Sequence, residues 1–289
     1  MRRRAVIAGS GAALLALAGC AALHTRGERR GLPSAASAQC HQLSQIAQEA
    51  IDHHDLPRAH ADLERLVAEA PLSAEAHYRL GRVLQLQGFR AEADAAYRRA
   101  LKLDPEYIGA LIGQGEIEAE LGRPLDALKQ FDAAIEIDPR QAEAHFAQGR
   151  VLEAIGRTDE ALAAYFRSLE IDPTSAPVIL RIATIQLARR QPEQALARLD
   201  QVLELTPDDP EAHHRRGLAY LALNHPAQAI ADLQFAARRL PNRPDVFYHL
   251  ALALDADHKT GAALEAAERA LKLAPEYADA RSLSQRLRR

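Results

Sequence analysis

The sequence predicts an all-α fold, an α-solenoid of seven 34-residue helix pairs followed by a short C-terminal capping helix. Three observations predict it. The composition has no Trp and only 4% aromatic residues, which suits closely packed helices. Small residues recur at two fixed places of a repeated frame. Prolines recur every 34 residues, a fixed period typical of repeat architectures, at Pro71, Pro105, Pro139, Pro173, Pro207, Pro241 and Pro275.

The chain begins with a segment that has the layout of a signal peptide, predicted at 1–19. Three arginines at 2–4 precede an apolar run over 5–19, which is shorter than the roughly 20 residues that cross a bilayer as a helix. The run ends in LAGC at Cys20, which resembles the lipobox of bacterial lipoproteins. The resemblance implies that Cys20 is lipid-modified and that cleavage before it makes it the new N-terminus. A plain secretory signal with a chance Cys is the alternative.

The residues after Cys20 bear on location. Ala21, rather than Asp, follows the Cys, and in the enterobacterial sorting pattern this implies the outer membrane, facing the periplasm. The consecutive arginines leave twin-arginine export open. Segment 20–39 has small residues, charges and a Pro without apolar periodicity, so it is predicted to be a flexible tether. Membrane contact is expected through the lipid anchor only.

The charge of the chain does not indicate a basic surface that would bind nucleic acid. The formal net charge of the whole chain is −3. Loss of three arginines with the signal peptide would leave 33 basic against 39 acidic residues, a net charge of −6. No nucleic-acid partner is therefore expected.

Counting back from each proline gives the predicted repeats 40–73, 74–107, 108–141, 142–175, 176–209, 210–243 and 244–277. Places 4, 7, 8 and 11 of a repeat share one face of a first helix. Small residues stand at place 8, where we find Ala47, Gly81, Gly115, Gly149, Ala183, Gly217 and Ala251. Alanines stand at place 20 of each repeat, which lies in the second helix. They are Ala59, Ala93, Ala127, Ala161, Ala195, Ala229 and Ala263. Alanine opposite glycine predicts close approach of the two helices, and stacked neighbours bury the apolar faces.

Turn residues predict the helix ends. Left-handed caps are expected at Gly88, Gly122, Gly156 and Asn224, and second helices are expected to start at Pro124, Pro192 and Pro226. Each repeat-ending Pro should stop the second helix before it. Residues 278–289 are predicted to form a capping helix that covers the last repeat with Leu283 and Leu287. Arg281 and Ser284 would make it polar outside.

This pattern resembles the tetratricopeptide repeat, which has small residues at places 8 and 20, an aromatic at place 24 and Pro near the end. The resemblance covers 40–277, with Leu63 and Leu199 departing from the aromatic place. It implies a right-handed superhelix whose concave groove binds partner proteins. By the same resemblance, the groove is lined mainly by first helices, at places 2, 5, 6, 9, 12 and 13 of each repeat. Carried over by place, the predicted protein-binding groove contains Tyr78, Arg79, Arg82, Phe146, Arg150, Leu180, Arg181, His214, Arg215, Tyr248 and His249.

Two readings of these groove residues remain open. Aromatics beside arginines suit a peptide cradle, whereas Arg79 and Arg215 can instead pair at i, i+4 with Glu75 and Glu211 to stabilise their own helices. The chaperone-binding members of the family clamp a terminal carboxylate with Lys at place 2. That clamp is not expected, because place 2 holds His41, Glu75, Gly109, Glu143, Pro177, Glu211 and Asp245.

Other candidate chemistry is sparse. His77, His145 and His213 recur at place 4 but stand two repeats apart, so we interpret them as packing residues rather than ligands of one metal. DHHD at 52–55 is interpreted as a solvated helix end. Cys40 is either a buried small residue or the source of an intermolecular disulfide. We expect no catalytic residue, metal or cofactor, and no enzymatic activity.

The sequence therefore predicts a membrane-anchored scaffold or adaptor of the bacterial cell envelope. It would recruit or assemble other envelope proteins through the groove. The alternative is a self-associating structural envelope protein without a dedicated peptide ligand. A hidden enzyme would need a pair of carboxylates or histidines converging across repeats in the groove, and the sequence indicates none.

Overall fold

The computed structural model describes residues 35–289, and this part of the chain is all-helical, with fifteen α-helices and no strand. The predicted signal peptide, Cys20 and the tether up to residue 34 lie outside the described residues. The helices are α1 Ala35–Asp52, α2 Leu56–Glu69, α3 Ala74–Leu86, α4 Arg90–Leu103, α5 Ile108–Glu120, α6 Pro124–Ile137, α7 Ala142–Ala154, α8 Thr158–Ile171, α9 Ala176–Ala188, α10 Pro192–Leu205, α11 Pro210–Ala222, α12 Pro226–Arg239, α13 Pro244–Ala256, α14 Thr260–Leu273 and α15 Ala278–Leu287. Within 35–289, each helix is too short or too polar to cross a membrane.

The described residues form two compact units, unit 1 over 35–157 and unit 2 over 158–289. Unit 1 contains α1 to α7 and unit 2 contains α8 to α15, so the predicted repeat 142–175 contributes one helix to each. Within each unit consecutive helices pack on one another. First helices also contact first helices, α3 with α5 and α5 with α7 in unit 1, and α9 with α11 and α11 with α13 in unit 2. This is the predicted α-solenoid.

The first helix begins earlier than expected. α1 starts at Ala35, inside segment 20–39, which we predicted to be a tether. Residues 35–39 read AASAQ, and Ala and Gln are good helix formers with no Gly or Pro among them. Helix propensity therefore extends α1 toward the N-terminus, and the tether prediction is wrong for 35–39.

One left-handed residue ends each first helix at place 15 of the predicted repeat. The predicted glycines have φ of 83° at Gly88, 73° at Gly122 and 79° at Gly156, and Asn224 has 59°. The same place is left-handed in the other three turns, at His54, Arg190 and His258, with φ of 60°, 59° and 60°. The tight reversal requires this conformation whichever residue occupies the place.

Proline sets the limits of the second helices. α6, α10 and α12 begin at Pro124, Pro192 and Pro226, as predicted. All second helices end two residues before a repeat-ending Pro, at Glu69, Leu103, Ile137, Ile171, Leu205, Arg239 and Leu273. The residue before a Pro avoids the helical region, which confirms the expected stop.

The small residues at places 8 and 20 are buried, but the glycines face a different partner from the one expected. A Cβ at Gly81 would lie 2.7 Å from Cδ1 of Tyr97, and one at Gly115 would lie 2.5 Å from Cε1 of Phe131. The glycine at place 8 therefore contacts the side chain at place 24, whereas we expected it to face the alanine at place 20. Where place 8 is Ala, place 24 carries the smaller Leu63, Leu199 or Ala267.

The C-terminal helix α15 packs on α14. Leu283 is buried in the core of unit 2 and Leu287 packs against that core. Arg281 is exposed, whereas Ser284, expected on the polar outer face, is buried at 3% exposure. Ser284 lies one residue beyond Leu283 and is small enough to be covered with it.

Candidate functional site

In unit 1 the predicted groove residue Tyr78 lies in an aromatic cluster between α3 and α5. Its ring centroid is 5.2 Å from that of Tyr107 and 6.1 Å from that of Tyr97. A Cβ at Gly109 would be 2.7 Å from Cζ of Tyr78, so the missing side chain lets the ring pack on the backbone of α5. The half-buried Tyr78 is thereby fixed in place before any partner binds.

A chain of hydrogen bonds starts beneath this cluster. The hydroxyl of Tyr97 donates to Oε1 of Gln85 at 2.7 Å, and Nε2 of Gln85 donates to Oε2 of Glu116 at 3.1 Å. Burial raises the pKa of Glu116, and the charge of Glu143 adds to the rise. Nη1 of Arg82 is 3.5 Å from the hydroxyl of Tyr78, a weak contact.

These groups surround a small polar cavity of about 30 Å³, close to the volume that one water molecule occupies. Tyr78, Arg82 and Glu116 line it. The charges of Arg150 and Arg82 both lower the pKa of Glu116, against the larger effect of burial. Groove residues of α3, α5 and α7 thus converge, and the surface offers hydrogen-bond donors and acceptors.

The other predicted groove side chains of unit 1 contact their own helices. Nε and Nη2 of Arg79 donate to Oε1 of Glu75 at 2.9 and 2.6 Å, which is the i, i+4 pair of the alternative interpretation. The guanidinium of Arg150 lies 5.9 Å from the centroid of the Phe146 ring. Such contacts restrict rotamers and leave both arginine and ring partly accessible.

In unit 2 the groove residues belong to a network of alternating charges. Nε of Arg215 donates to Oε1 of Glu211 at 2.7 Å, and Nη1 of Arg243 donates to Oε2 of Glu211 at 3.3 Å. Arg243 also makes two bonds to Asp245, at 2.8 and 2.6 Å. The facing imidazole of His214, with Arg215 and Arg243, lowers the pKa of Glu211 to about 2. The hydrogen bonds from Arg243 lower the pKa of Asp245 to about 2.

A histidine pair lies next to this network. Nε2 of His214 is 2.9 Å from Nδ1 of His249, so the two imidazoles share a hydrogen bond. Nδ1 of His214 faces Oε1 of Glu211 at 3.9 Å, which is longer than an ordinary hydrogen bond. Burial, followed by the charge of His214, lowers the pKa of His249 to about 4. His249 is therefore neutral at pH 7.

The histidine pair corrects two sequence predictions. His214 and His249 belong to neighbouring repeats, so histidines do converge across repeats, which the sequence did not indicate. His214 is 1% exposed, so its side chain cannot contact a partner. It faces α13, where the neighbouring first helix covers it, and its role is to hold His249. His214 is wrong as a binding residue, and His249 remains half-buried at the surface.

The remaining predicted residues of unit 2 divide between surface and core. Leu180 is partly buried and packs against core residues of α9 and α10, so little of it faces outward. Arg181 is exposed. The Tyr248 ring centroid is 5.1 Å from that of Tyr277 and 5.4 Å from that of His249, and burial raises the pKa of Tyr248. The accessible predicted residues of unit 2 are therefore Arg181, which is exposed, and the half-buried Arg215, Tyr248 and His249.

Sequence reasoning missed three contributors. Gln85 stands at place 12, one of the groove places, and that place is the signal that could have found it. Tyr97 was expected only as a core aromatic, but its hydroxyl reaches Gln85. Arg243 precedes α13 and occupies no groove place, so the repeat pattern gave no signal for it.

The histidines at place 4 make a repeated structural contact outside the groove. Nε2 of the imidazole is 3.0 to 3.1 Å from the carbonyl oxygen of the preceding repeat-ending Pro. Nη2 of Arg281 donates to Pro275 in the same way at 2.6 Å. Each of these side chains stabilises the turn between two predicted repeats. The pairs are His77 with Pro71, His145 with Pro139 and His213 with Pro207.

Comparison with family models gives one consistent result. Three models, each described as tetratricopeptide repeat, match residues 112–176 and 214–278, 154–216, and 74–107. Together the matched residues cover 74–107 and 112–278, more than half of the 289 residues. No curated protein matches the sequence.

Several solved structures are similar to this chain. PilF of Pseudomonas aeruginosa has a TM-score of 0.68 and 17% identity, covering 74% of this chain and 97% of that chain. PilW, a type IV pilus biogenesis factor, has a TM-score of 0.64 and 20% identity, covering 74% and 98%. YrrB, described as having an unusual peptide-binding site, has a TM-score of 0.57 and 21% identity, covering 66% and 98%. At these identities the similarity shows a shared fold.

Proposed function

This chain belongs to the tetratricopeptide repeat family, and on that premise we propose that it is a scaffold or adaptor that binds other proteins through its first helices. The observation that carries the proposal is the arrangement around Tyr78. Its ring is fixed over Gly109, and Arg82 and Glu116 converge beside it. Preorganised aromatic and arginine side chains contribute most of the binding energy in protein interfaces.

The descriptions of two similar structures support this role. YrrB is described as having a peptide-binding site, and PilW as a factor in type IV pilus biogenesis. Both descriptions concern proteins with the same fold. We extend them to this chain only as a class of function, the binding of peptide segments during the assembly of larger complexes.

We further propose that the protein works at the bacterial envelope. Lipidation at Cys20 would anchor it to a membrane, with the outer membrane favoured by Ala21. The folded units would then face the periplasm, where the partners would be other envelope proteins. The support for this step is the sequence of residues 1–21.

The proposed groove is tested by quantitative crosslinking from membranes. In the test variant, Tyr78, Arg82, Phe146 and Arg150 are replaced together by Ala. The matched control replaces the exposed second-helix residues Arg98, Lys102 and Lys129 by Ala. We expect the groove variant to lose most of the crosslinked partner at unchanged helical content, and the control to keep it. Equal recovery by both variants would reject the groove as the binding surface.

One observation favours self-association as a second candidate function. Large apolar side chains are exposed at helix turns of unit 1, with Leu86 at 56%, Leu121 at 50% and Leu125 at 65%. Exposed apolar patches often mark interfaces. Sedimentation over a hundredfold concentration range decides the matter, because a stable homo-oligomer that loses its association on Leu125→Ser would favour the structural role.

A further inference from the structure

A large apolar cleft lies in unit 1 away from the predicted groove, and we name it the outer cleft. It is formed by α2, α3 and α4 and encloses about 630 Å³, within the 300 to 1,000 Å³ typical of binding clefts. Its floor includes Leu80 and Leu84 of α3, at places 7 and 11, which are not groove places. Val67 lies on one side, and the small Ala95 and Ala96 leave space on the other.

The mouth of the outer cleft carries an exposed aromatic side chain. Phe89 is 47% exposed, and its ring centroid is 6.4 Å from that of His60. Phe89 is the residue before α4 and makes no side-chain capping bond, although Ser, Thr, Asp or Asn would stabilise the helix there. The same place is polar in every other predicted repeat, with Asp55, Arg123, Arg157, Gln191, His225 and Lys259. Helix capping therefore does not account for Phe89, whose ring contacts His60 and leaves nearly half of the side chain exposed to water.

The charges at the cleft are mostly acidic near Phe89. Glu64 and Glu92 line the cleft and are exposed. Within 35–289, Glu92 has no Lys or Arg at ion-pair distance, and the side chain paired with Glu64 is the imidazole of His60, at 3.5 Å from Nε2 to Oε1. Arg99 is the basic residue of the lining and stands seven residues after Glu92, two helical turns along α4. The Phe89 end of the cleft is thus complementary to a cation, and an aromatic face beside carboxylates favours one further.

We propose that the outer cleft binds an amphipathic helical segment of a partner protein. The segment would lie between α2 and α4 over the floor of α3 and insert large apolar side chains. It would place a Lys or Arg beside Phe89, between Glu64 and Glu92. This is the helix-in-groove mode of recognition, in which apolar anchors give affinity and flanking charges give orientation. The site is separate from the groove of the proposed function and does not depend on it.

The test uses the purified full-length chain in detergent and a labelled 16-residue peptide with Leu on one helical face and Lys at its edges. A matched peptide carries Glu in place of Lys. Fluorescence anisotropy should show binding of the Lys peptide and at least tenfold weaker binding of the Glu peptide. Phe89→Ser should weaken the binding of the Lys peptide at least fivefold. Glu92→Gln should weaken that binding less, and should make the affinity for the Lys peptide depend less on salt concentration.

The choice of Phe89→Ser separates binding from folding. Ser is a preferred residue before a helix, so this variant should melt at the same or a higher temperature while binding falls. Phe166→Ser is the matched control, because it removes an exposed Phe ring outside the cleft. Tyr78→Ala is the control for the groove. Both controls should bind the Lys peptide as the wild type does.

A photoreactive group at the centre of the Lys peptide should label α2 or α4. The proposal is overturned by equal binding of the two peptides, by no binding up to millimolar concentration, or by unchanged binding in Phe89→Ser. Labelling at Tyr78 would assign the peptide to the groove instead. A homodimer that dissociates in Phe89→Ser and excludes the peptide would show that the occupant is a second copy of this chain.

Discussion

At the scale of single residues, each turn between a first and a second helix depends on one left-handed residue. Glycine adopts this conformation without steric cost, and Asn tolerates it, but Arg190 and His258 hold φ near 60° with full side chains. The backbone at these two places is therefore strained by the turn that it completes.

Replacing Arg190 or His258 by Gly should stabilise the protein. The relief of left-handed strain exceeds the entropy cost of Gly, so we expect a gain of about 0.5 to 1 kcal/mol in the free energy of unfolding by urea. Ala256→Gly, two residues before His258 and inside α13, should instead lose about 1 kcal/mol. A loss in all three variants would contradict the strain argument.

The charged surface of unit 2 should lose stability on acidification, in two steps. The pKa of His249 is lowered to about 4, so the unfolded chain takes up a proton first and stability falls between about pH 6.5 and 4. The pKa values of Glu211 and Asp245 are lowered to about 2. Their contribution is full above the ordinary carboxyl range, which lies near pH 4, and is lost toward pH 2.

His249→Gln tests the first step. Melting temperatures at pH 7, 6, 5 and 4 should fall less in this variant than in the wild type, because Gln does not titrate. The difference between the two proteins removes the contribution of the histidines that do not contact His249, and so reports on His249 together with its partner His214. Parallel curves over this range would mean that His249 does not retain a lowered pKa in solution.

At the scale of elements, the fit between a first and a second helix depends on the sum of two side chains, at places 8 and 24. Gly81 accepts the Tyr97 ring and Gly115 accepts Phe131. Ala47 stands with Leu63 in its repeat, and Ala183 with Leu199. The departures from the aromatic pattern at Leu63 and Leu199 are thus matched by a larger residue at place 8. The sixth predicted repeat is filled differently, because Gly217 stands with Leu233 and a Cβ at Gly217 would lie 2.6 Å from Cγ of Leu233.

Gly81→Ala should cost about 1 to 3 kcal/mol, because its Cβ would lie 2.7 Å from the Tyr97 ring in a filled interface. Tyr97→Leu alone should also destabilise the protein, because it leaves a cavity and removes the hydrogen bond from the Tyr97 hydroxyl to Gln85. The double variant reproduces the Ala and Leu combination of the first and fifth predicted repeats. It should be more stable than the sum of the single changes predicts, as a double-mutant cycle by urea unfolding would show. Additive losses would reject the pairing.

At the scale of the whole molecule, the proposed function depends on two separate parts of the chain. One is a family fold with a preorganised surface around Tyr78, and the other is an N-terminal segment that resembles a lipoprotein signal. An anchored scaffold meets its partners at a membrane, so the anchor would decide which proteins the surface encounters.

Cys20→Ser should therefore release the protein from the membrane fraction or leave the signal peptide uncleaved. Lipid modification requires the thiol, and several acyl chains are needed for stable anchoring. Fractionation of cells followed by mass measurement of the N-terminus would show either result. Normal processing with unchanged membrane association would mean that the anchor is not a lipid on Cys20.

The sequence by itself determined the helical solenoid, the limits of its second helices and most of its turns. Pro105 and Pro139 end helices because the residue before Pro avoids the helical region, and Gly88 ends one because it accepts a positive φ. These are local properties of the chain, so they can be read without knowing what packs against it. Tyr78 and Arg82 were expected in the groove only because the resemblance to the tetratricopeptide repeat implies which repeat places line it.

Only the tertiary structure decided which side chains meet. Tyr97 fills the space at Gly81, His214 is buried against His249, and Phe89 stands at the mouth of the outer cleft. Each of these outcomes depends on a residue of another helix, and burial and pKa follow from the whole neighbourhood rather than from place in a repeat. The repeat pattern determines the position of a residue on its helix. The volume and charge of the neighbouring side chains determine whether that residue lies in the core, supports another side chain or faces a partner.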